Sequence, residues 1–514
     1  MPSFASFLAT LPPSADALSA IWHLSFTRLC ADSRQVREGD GFVLLKSQTP
    51  QAVFDSKKIQ GYLQAVQNQA VFVLTEIDPS MIGADFMATY PVPVVYLPRL
   101  RDFLGELMHA SLFGVADNVP QVVAVTGTNG KTTTCQLVVQ LLHLTGLRVA
   151  VLGTAGNGVL PNLVPSSHTT LQVMDLHQAL YDFKEAKVIA LEASSHGLHQ
   201  QRLQGVPVTV AIFTNLSHEH LDYHPTMAEY ANSKARLFDK AEFTKLTHAI
   251  INLDDPYSPQ MQARAAASGL VVWTYSLDNP KADFVVTEAT PSLHGAHLIL
   301  QTPQGAMSVT SPLLGRFNIA NLLASIAAAL ALGATLSELT CAIPRLVGAS
   351  GRMQRIDSQA GCFMVDYAHT PDALAQVLQS LKAHCTGRLW VVFGCGGDRD
   401  KTKRPLMTQI ALNTADCVVL TSDNPRTESI MAILADMQQG MSPSDYDKTT
   451  VEPDRALAIG YAVANAEPND IVVVAGKGHE TYQEIDGVRY DFDDRMVLAQ
   501  ALMAKGWQSS STDK

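Results

Sequence analysis

Charge is scarce in this chain, and its balance has the wrong sign for one large class of partners. Asp, Glu, Lys and Arg make up 17% of the 514 residues and sum to a net charge of −11 at pH 7. A nucleic-acid partner requires a basic footprint, so none is expected. Cysteine is also sparse. Cys30, Cys135, Cys341, Cys362, Cys385, Cys395 and Cys417 are odd in number, scattered and without a C-x-x-C pair. That excludes a disulfide framework and a closed thiolate zinc site, and predicts a reduced, cytoplasmic setting. The first 27 residues contain no Lys or Arg, so the mildly apolar start lacks the basic region of a secretory signal. One long apolar run, Ile319 to Leu336, approaches membrane-spanning length. It is rich in alanine and contains Asn321 and Ser325, which predicts a buried helix and no membrane span.

What is present is globular composition, 47% hydrophobic, over a length that suggests three domains at the usual ~150 residues each. The most informative stretch is Val122-Val-Ala-Val-Thr-Gly127-Thr128-Asn129-Gly130-Lys131-Thr132-Thr133. An apolar strand ends in two glycines, a lysine and threonines, and an amphipathic segment follows. Glycines bring backbone N–H groups close to an anion, a helix N-terminus adds its positive dipole end, Lys131 adds a full charge, and Thr132 offers oxygen to magnesium. A nucleoside triphosphate is the expected ligand. The regular phosphate-loop pattern would put glycine at Val125, so the match is chemical and not literal.

The chain divides into three expected domains. Residues 1–99 read as a mixed α/β unit carrying Asp32-Ser33-Arg34, which also suits an ordinary capped turn. Residues 100–344 alternate apolar strands with helical patterns: Val122–Val125, Arg148–Leu152, Val188–Leu191, Val208–Phe213, Ala249–Asn252 and Val271–Trp273. Alternating runs between 283 and 311 suggest hairpins. Residues 345–514 repeat the strand-then-loop layout, with apolar runs leading to Asp366, Gly394–Lys401, Asp423–Arg426 and Gly476–Glu480. The fold class is therefore α/β: a mixed N-terminal domain, a central P-loop ATPase-like parallel sheet and a C-terminal Rossmann-like doubly wound sheet. Gly394 to Gly397 lacks the spacing of a dinucleotide fingerprint.

Ligands of parallel sheets bind beyond the carboxyl ends of strands. Glu192 follows the third central strand, and the segment from His218 to His224 follows the fourth. Magnesium prefers oxygen ligands, so Glu192 with Thr132 is the expected pair. His220 is either a further ligand or part of a capped turn. Lys234 alone reads as a lysine on a helix surface.

The motifs Thr126–Thr132, Glu192-Ala-Ser-Ser-His-Gly197, Asn215–Asp222, Gly315-Arg-Phe-Asn318, Gly351-Arg352-Met, Asp366-Tyr-Ala-His-Thr-Pro371 and Gly476-Lys-Gly-His-Glu480 together resemble the Mur ligase family of ATP-dependent amino-acid ligases of peptidoglycan assembly. The likeness covers nearly the full chain. It implies transfer of the ATP γ-phosphate to a D-glutamate carboxylate of a UDP-muramoyl dipeptide, then attack of an amine on the acyl phosphate. It further implies that Gly127, Thr128, Asn129, Gly130, Lys131, Thr132, Thr133, Asn321 and Asp366 bind ATP. Ser33, Thr169, Thr170, Ser194, Gln200 and Arg202 would hold the UDP-linked dipeptide. Arg399, Asp423, Asn424, Pro425, Arg426, Gly476 and Glu480 would recognise meso-diaminopimelate, since Asp423–Arg426 is the diaminopimelate version of that segment and not the lysine version. Thr132, Glu192, His220 and Lys234 would hold magnesium, Lys234 as N6-carboxylysine, and Lys131, Glu192, His220 and Lys234 would be catalytic. The family commonly has Asn where this chain has His168, and its uridine-side segment corresponds to Gln48-Thr49-Pro50. The implied partners are small molecules bound by a monomer. Two alternatives stay open at this point: a folylpolyglutamate synthetase-like ligase, and a nucleotide-operated switch that ligates nothing.

Overall fold

The computed structural model describes residues 13–47, 54–114, 119–166, 168–217, 219, 223–349 and 351–507. Gln48, Thr49 and Pro50, and the expected metal residue His220 with its neighbours His218 and Asp222, lie outside the described residues. Contacts divide the chain into two units. One comprises Met1–Lys131, Gly146–Ile251 and Asp255–Val272; the other comprises Thr132–Thr145, Asn252–Asp254 and Trp273–Lys514.

The first unit opens with a short 3-10 run, Pro13–Ile21, and a four-stranded parallel sheet in the order β1 (Leu29–Cys30), β2 (Asp40–Leu44), β3 (Ala70–Thr75), β4 (Val94–Tyr96). Parallel neighbours need crossovers, and the helix Ser56–Val66 supplies one. The Asp55 carboxylate caps that helix by accepting from the Lys57 and Lys58 N–H groups.

The central strands of this unit are β5 (Gln121–Thr126), β6 (Val149–Gly153), β7 (Gly156–Val159), β8 (Asn162–Val164), β9 (Val188–Glu192), β10 (Val208–Phe213) and β11 (His248–Asn252). Their spatial order is β8-β7-β6-β9-β5-β10-β11, and β6, β9, β5, β10 and β11 run parallel. Val122 to Val125 are fully buried, as expected of a strand covered on both faces. The chain leaves β5 toward β6 and β9 and returns on its other side at β10. The carboxyl end of β5 therefore lies where the strand order switches, the usual ligand position in such sheets.

In the second unit β12 (Val271–Ser276) leads into a meander of β13 (Phe284–Ser292), β14 (Gly295–Thr302) and β15 (Gly305–Ser311). The alanine-rich run forms the helix Arg316–Ala331, whose residues Asn321 to Leu330 are all buried. No helix among the described residues is long and apolar enough to cross a membrane.

The last sheet has the order β16 (Gln354–Ile356), β17 (Cys362–Asp366), β21 (Ile471–Ala475), β18 (Leu389–Phe393), β19 (Cys417–Leu420), β20 (Thr449–Val451), parallel except at β16. Its residues alternate between two cores. Met364, Val391, Phe393, Leu420 and Val473 pack with the helices Pro371–Lys382, Lys403–Thr414 and Ile430–Met437. Phe363, Val365, Val392, Val419 and Val474 pack with Arg455–Asn465 and Asp494–Lys505. Helices on both faces make this a doubly wound sheet, and each buried side chain of this size contributes about 1.5–3 kcal/mol. A hairpin, β22 (Tyr482–Ile485) and β23 (Val488–Asp491), follows β21.

Candidate active site

The turn after β5 is shaped by what surrounds it. Gly127 has φ +153°, and a Cβ there would lie 1.8 Å from Thr214 Oγ1, so glycine is required on two counts. The Thr128 N–H donates to Asn215 O at 2.8 Å, and the Asn129 N–H donates to Asn215 Oδ1 at 2.9 Å. Thr214 Oγ1 donates back to Asn129 O at 2.6 Å. The segment after β10 thus pins the turn, and Asn215 does the pinning with both backbone and side chain. Lys131 begins the helix Lys131–Leu144, and its ammonium donates to Gly127 O at 2.9 Å and Thr128 O at 2.8 Å. In the second unit, Thr132 is half-buried and Thr133 buried.

A second lysine reaches the same carbonyl. Lys234 Nζ donates to Gly127 O at 2.8 Å and lies 4.5 Å from the centre of the Tyr230 ring. The surface position expected for Lys234 from its residues alone is wrong: the side chain is 1% exposed. Thr226 caps the helix Met227–Ala235, and Tyr230, Ala231, Ser233 and Lys234 are all buried in it. Burial pushes the Lys234 amine well below the ordinary lysine range, and the nearby Lys131 charge pushes in the same direction. Tyr230 adds a tie to the turn, its hydroxyl 3.1 Å from Thr128 Oγ1.

Glu192 ends β9 directly opposite Val125 of β5 and is 2% exposed. Its Oε1 accepts the Thr154 N–H at 2.8 Å, and its Oε2 accepts the Thr154 hydroxyl at 3.2 Å. Among the described residues no group of three or more His, Cys, Asp or Glu is arranged to hold a metal. One buried carboxylate still fits magnesium, which takes one or two carboxylates plus phosphate oxygens and water.

Of the six residues expected to hold the dipeptide, Thr169, Thr170, Ser194, Gln200 and Arg202 form one hydrogen-bonded cluster. Thr169 Oγ1 lies within hydrogen-bond distance of Thr154 Oγ1 at 3.0 Å, and Thr170 Oγ1 donates to Glu192 O at 2.6 Å and lies 3.0 Å from the Ser194 hydroxyl. Arg202 Nη1 donates to Thr170 O at 2.8 Å, and its Nε and Nη2 donate to Gln200 Oε1 at 3.0 and 2.7 Å. Tyr223, missing from the expected set, accepts from Gln200 Nε2 at 3.1 Å. Ser33 sits elsewhere in the first unit, in a turn where Asp32 accepts from the Arg34 backbone and guanidinium. That ion pair holds the Asp32 carboxyl down at about 2. The capped-turn reading of Asp32-Ser33-Arg34 is therefore correct as local structure.

In the second unit Asn321 Oδ1 accepts from Thr134 Oγ1 at 3.3 Å. Asp366 ends β17, and its carboxylate accepts the Met353 and Ala368 N–H groups at 2.7 Å each. Burial nevertheless raises its pKa, with the Arg352 charge opposing the shift.

The loops after β18, β19 and β21 bring the remaining expected residues together. Asn424 Nδ2 donates to Glu480 Oε2 at 2.9 Å, and a Cβ on Gly476 would lie 2.9 Å from Asp423 Oδ2. Arg426 has φ +52°, an uncommon conformation for a non-glycine residue, and its Nη1 donates to Gly397 O at 2.7 Å. The hairpin holds it there: the Arg426 N–H donates to Glu484 O at 3.0 Å, and Asp486 N–H donates to Arg426 O at 2.7 Å. Pro425 is buried and Arg399 is exposed. The buried cations Lys477 and Arg455 are among those the sequence reading missed. Lys477 is enclosed by Asn424, Glu480 and Asp423. Arg455, in a bidentate ion pair with Asp494, donates to Ser422 O and Ala475 O, the carbonyls just before Asp423 and Gly476. The sequence signal for Lys477 was its place inside Gly476-Lys-Gly-His-Glu480; Arg455 had none.

Known proteins share this layout. Residues 125–329 match the Mur ligase middle domain and residues 351–478 the Mur ligase glutamate ligase domain. A UDP-N-acetylmuramoyl-L-alanyl-D-glutamate–2,6-diaminopimelate ligase of Pseudomonas aeruginosa is 41% identical over 484 residues, spanning 94% of this chain and 96% of that protein. The ligase of the same name from Chromobacterium violaceum is 39% identical over 508 residues, 98% of this chain and 99% of its own. A solved structure of a ligase so named superposes with a TM-score of 0.74 at 44% identity, covering 95% of this chain and 97% of that one. Phosphate-type turn, neighbouring carboxylate, full-length relatives and matching domain models agree, and the chain belongs to the Mur ligase family.

Proposed function

We propose that the chain joins meso-2,6-diaminopimelate to UDP-N-acetylmuramoyl-L-alanyl-D-glutamate, splitting ATP to ADP and phosphate, as a cytoplasmic monomer. The observation that carries this reading is the pinned turn Gly127–Lys131 with its lysine and the buried Glu192 on the adjacent strand. A D-glutamate carboxylate oxygen attacks the γ-phosphorus and ADP leaves. The amine nitrogen of diaminopimelate then attacks the acyl carbon, phosphate leaves with the acyl oxygen, and one proton is released from nitrogen.

Such chemistry is mostly positioning and charge neutralisation. Turn N–H groups and the Lys131 ammonium bind the phosphates, with Thr132 and Thr133 in the first helical turn. Magnesium, held through Thr132, Glu192, His220 and a carboxylated Lys234, would supply further neutralisation of the phosphate oxygens. A neutral amine is the form that adds CO2, and burial favours that form of Lys234. Asn321 and Asp366 serve adenine and ribose. Ser33 and the cluster of Thr169, Thr170, Ser194, Gln200 and Arg202 serve the UDP-linked dipeptide.

The far end of diaminopimelate carries an ammonium and a carboxylate. Asp423 and Glu480, with Asn424, suit the ammonium, and the Arg426 or Arg399 guanidinium suits the carboxylate, which lysine lacks. An arginine left unpaired by lysine discriminates against it. The expected domains, 1–99 for the UDP-sugar, 100–344 for ATP and 345–514 for the amino acid, are part of this proposal.

The test is phosphate release with ATP and the UDP-linked dipeptide, comparing meso-diaminopimelate with lysine, on wild type and Lys131→Met. Turnover should require the dipeptide, favour diaminopimelate by at least about 10³-fold and fall by ~10³-fold or more in the variant. Phosphate release indifferent to both acceptors would establish a nucleotide switch instead, and near-normal activity of Lys131→Met would remove the turn from the mechanism.

A further inference from the structure

Lys477 is a buried cation without a role in the mechanism above. It is 0% exposed, and its ammonium donates to Asn424 Oδ1 at 3.0 Å, with Glu480 Oε2 at 3.4 Å and Asp423 Oδ1 at 3.7 Å. The Tyr482 ring centre lies 5.6 Å away. The three oxygens facing this ammonium all belong to residues proposed to meet the amino acid. Asn424 is oriented by the same contact. Its Oδ1 accepts from Lys477 and from the Glu484 N–H at 2.9 Å, which turns Nδ2 toward Glu480 Oε2 at 2.9 Å.

Charge gives a second reason for a lysine here. Asp423 and Glu480 approach a common point, and two carboxylates sharing a site repel each other, so that one takes up a proton or both move apart. A buried ammonium between them offsets one of the two negative charges and leaves a net charge of −1, which matches one ammonium of a substrate. Arg455 and Asp494 form a neutral pair behind the same loops and do not alter this balance. A buried lysine is costly unless its charge is paired, so its presence marks a constraint that an apolar residue of the same volume would not satisfy.

We propose that Lys477 is a positioning residue for the amine substrate. It holds Asp423, Asn424 and Glu480 in register and reduces their joint charge to −1, forming a cradle for the ammonium of an amino-acid head group. This rests on the ligase reading above.

The experiment uses full-length Lys477→Ala and Lys477→Met in the phosphate-release assay, with each of the three substrates varied in turn. The KM for diaminopimelate should rise tenfold or more in both variants, while the KM values for ATP and the UDP-linked dipeptide stay within about twofold of wild type. Propylammonium, which replaces the atoms removed in Lys477→Ala, should lower that raised KM at least threefold, and propan-1-ol should leave it unchanged. A common rise in all three KM values, an unaltered diaminopimelate KM, equal rescue by the alcohol, or failure of both variants to fold would each make Lys477 a residue of the fold and overturn the proposal. A wild-type enzyme that ignores diaminopimelate would instead defeat the ligase reading and this inference with it.

Discussion

Replacing Gly153 by alanine tests the Glu192 assignment without touching the carboxylate. A Cβ at Gly153 would sit 2.2 Å from Glu192 Oε1 and 2.8 Å from its Cγ and Cδ, whereas real Cβ atoms keep at least 3.0 Å. The carboxylate must therefore withdraw by close to 1 Å or the end of β6 must yield. Glu192 has little room to do so gently. It is 2% exposed, and both oxygens are held by Thr154. Overpacking of this kind costs about 1–3 kcal/mol of stability, which a domain of this size survives. A displacement of about 1 Å at a reacting centre, however, costs ~10²-fold in rate. Gly153→Ala should thus fold with a modestly lowered Tm, lose ~10²-fold in kcat, and need at least about tenfold more magnesium for half-maximal phosphate release. Glu192→Gln should show the same two defects. A folded Gly153→Ala protein with kcat within threefold of wild type and an unchanged magnesium curve would show that the position of this carboxylate is not part of the chemistry.

Two further outcomes are expected. His177 is fully buried, donates through Nε2–H to Gln204 O at 2.8 Å, and has an Nδ1 with no hydrogen-bond partner among the described residues; burial depresses its pKa to about 4. Because the unfolded chain binds this proton first, the stability that neutral His177 preserves is complete above the ordinary value of 6.5 and is lost as pH falls from there toward 4, by up to about 3 kcal/mol. Urea denaturation should show this loss in wild type and not in His177→Gln, and a difference between the two that stays constant across that range would refute it. For Lys234, protein equilibrated with 13C-bicarbonate should give one carbamate carbon resonance that disappears in Lys234→Met; a spectrum identical in both proteins would remove the modification from the mechanism.

Legibility tracked burial pattern. The strands Val208–Phe213, Leu389–Phe393 and Cys417–Leu420 have the boundaries their apolar runs suggest, because strands covered on both faces read as near-continuous apolar runs. The pair β7 and β8 was not legible. Gly156 and Gly158 have φ of +123° and +148°, so the segment reads as a loop, and only pairing with β6 makes it sheet. The hairpin β22–β23 was missed for a related reason: β23 is exposed along its whole length and has no apolar face to betray it. At the site, local motifs were readable and their fastenings were not. Asn215, Tyr223 and Arg455 reach their partners across the fold, and no spacing within the sequence announces such contacts.

Lys234 shows why residue type alone misled. Its helix contains Glu229, Asn232 and Ser233 beside Tyr230 and Ala231, so composition does not say which face is covered. The fold covers the lysine, and then directs it at a carbonyl already taken by Lys131. Burial, and then the opposition of two ammonium groups at one carbonyl, push the Lys234 amine well below the ordinary lysine range. Between that depressed value and 10.5 the unfolded chain holds a proton the folded chain lacks, so stability of the unmodified protein rises with pH through this window. Addition of CO2 to the free amine would yield an anion, attracted to Lys131 where an ammonium would be repelled. The same step would place an oxygen donor suited to magnesium where an ammonium would exclude that ion. The proposed modification is thus the electrostatic complement of an arrangement that the unmodified side chains leave unbalanced.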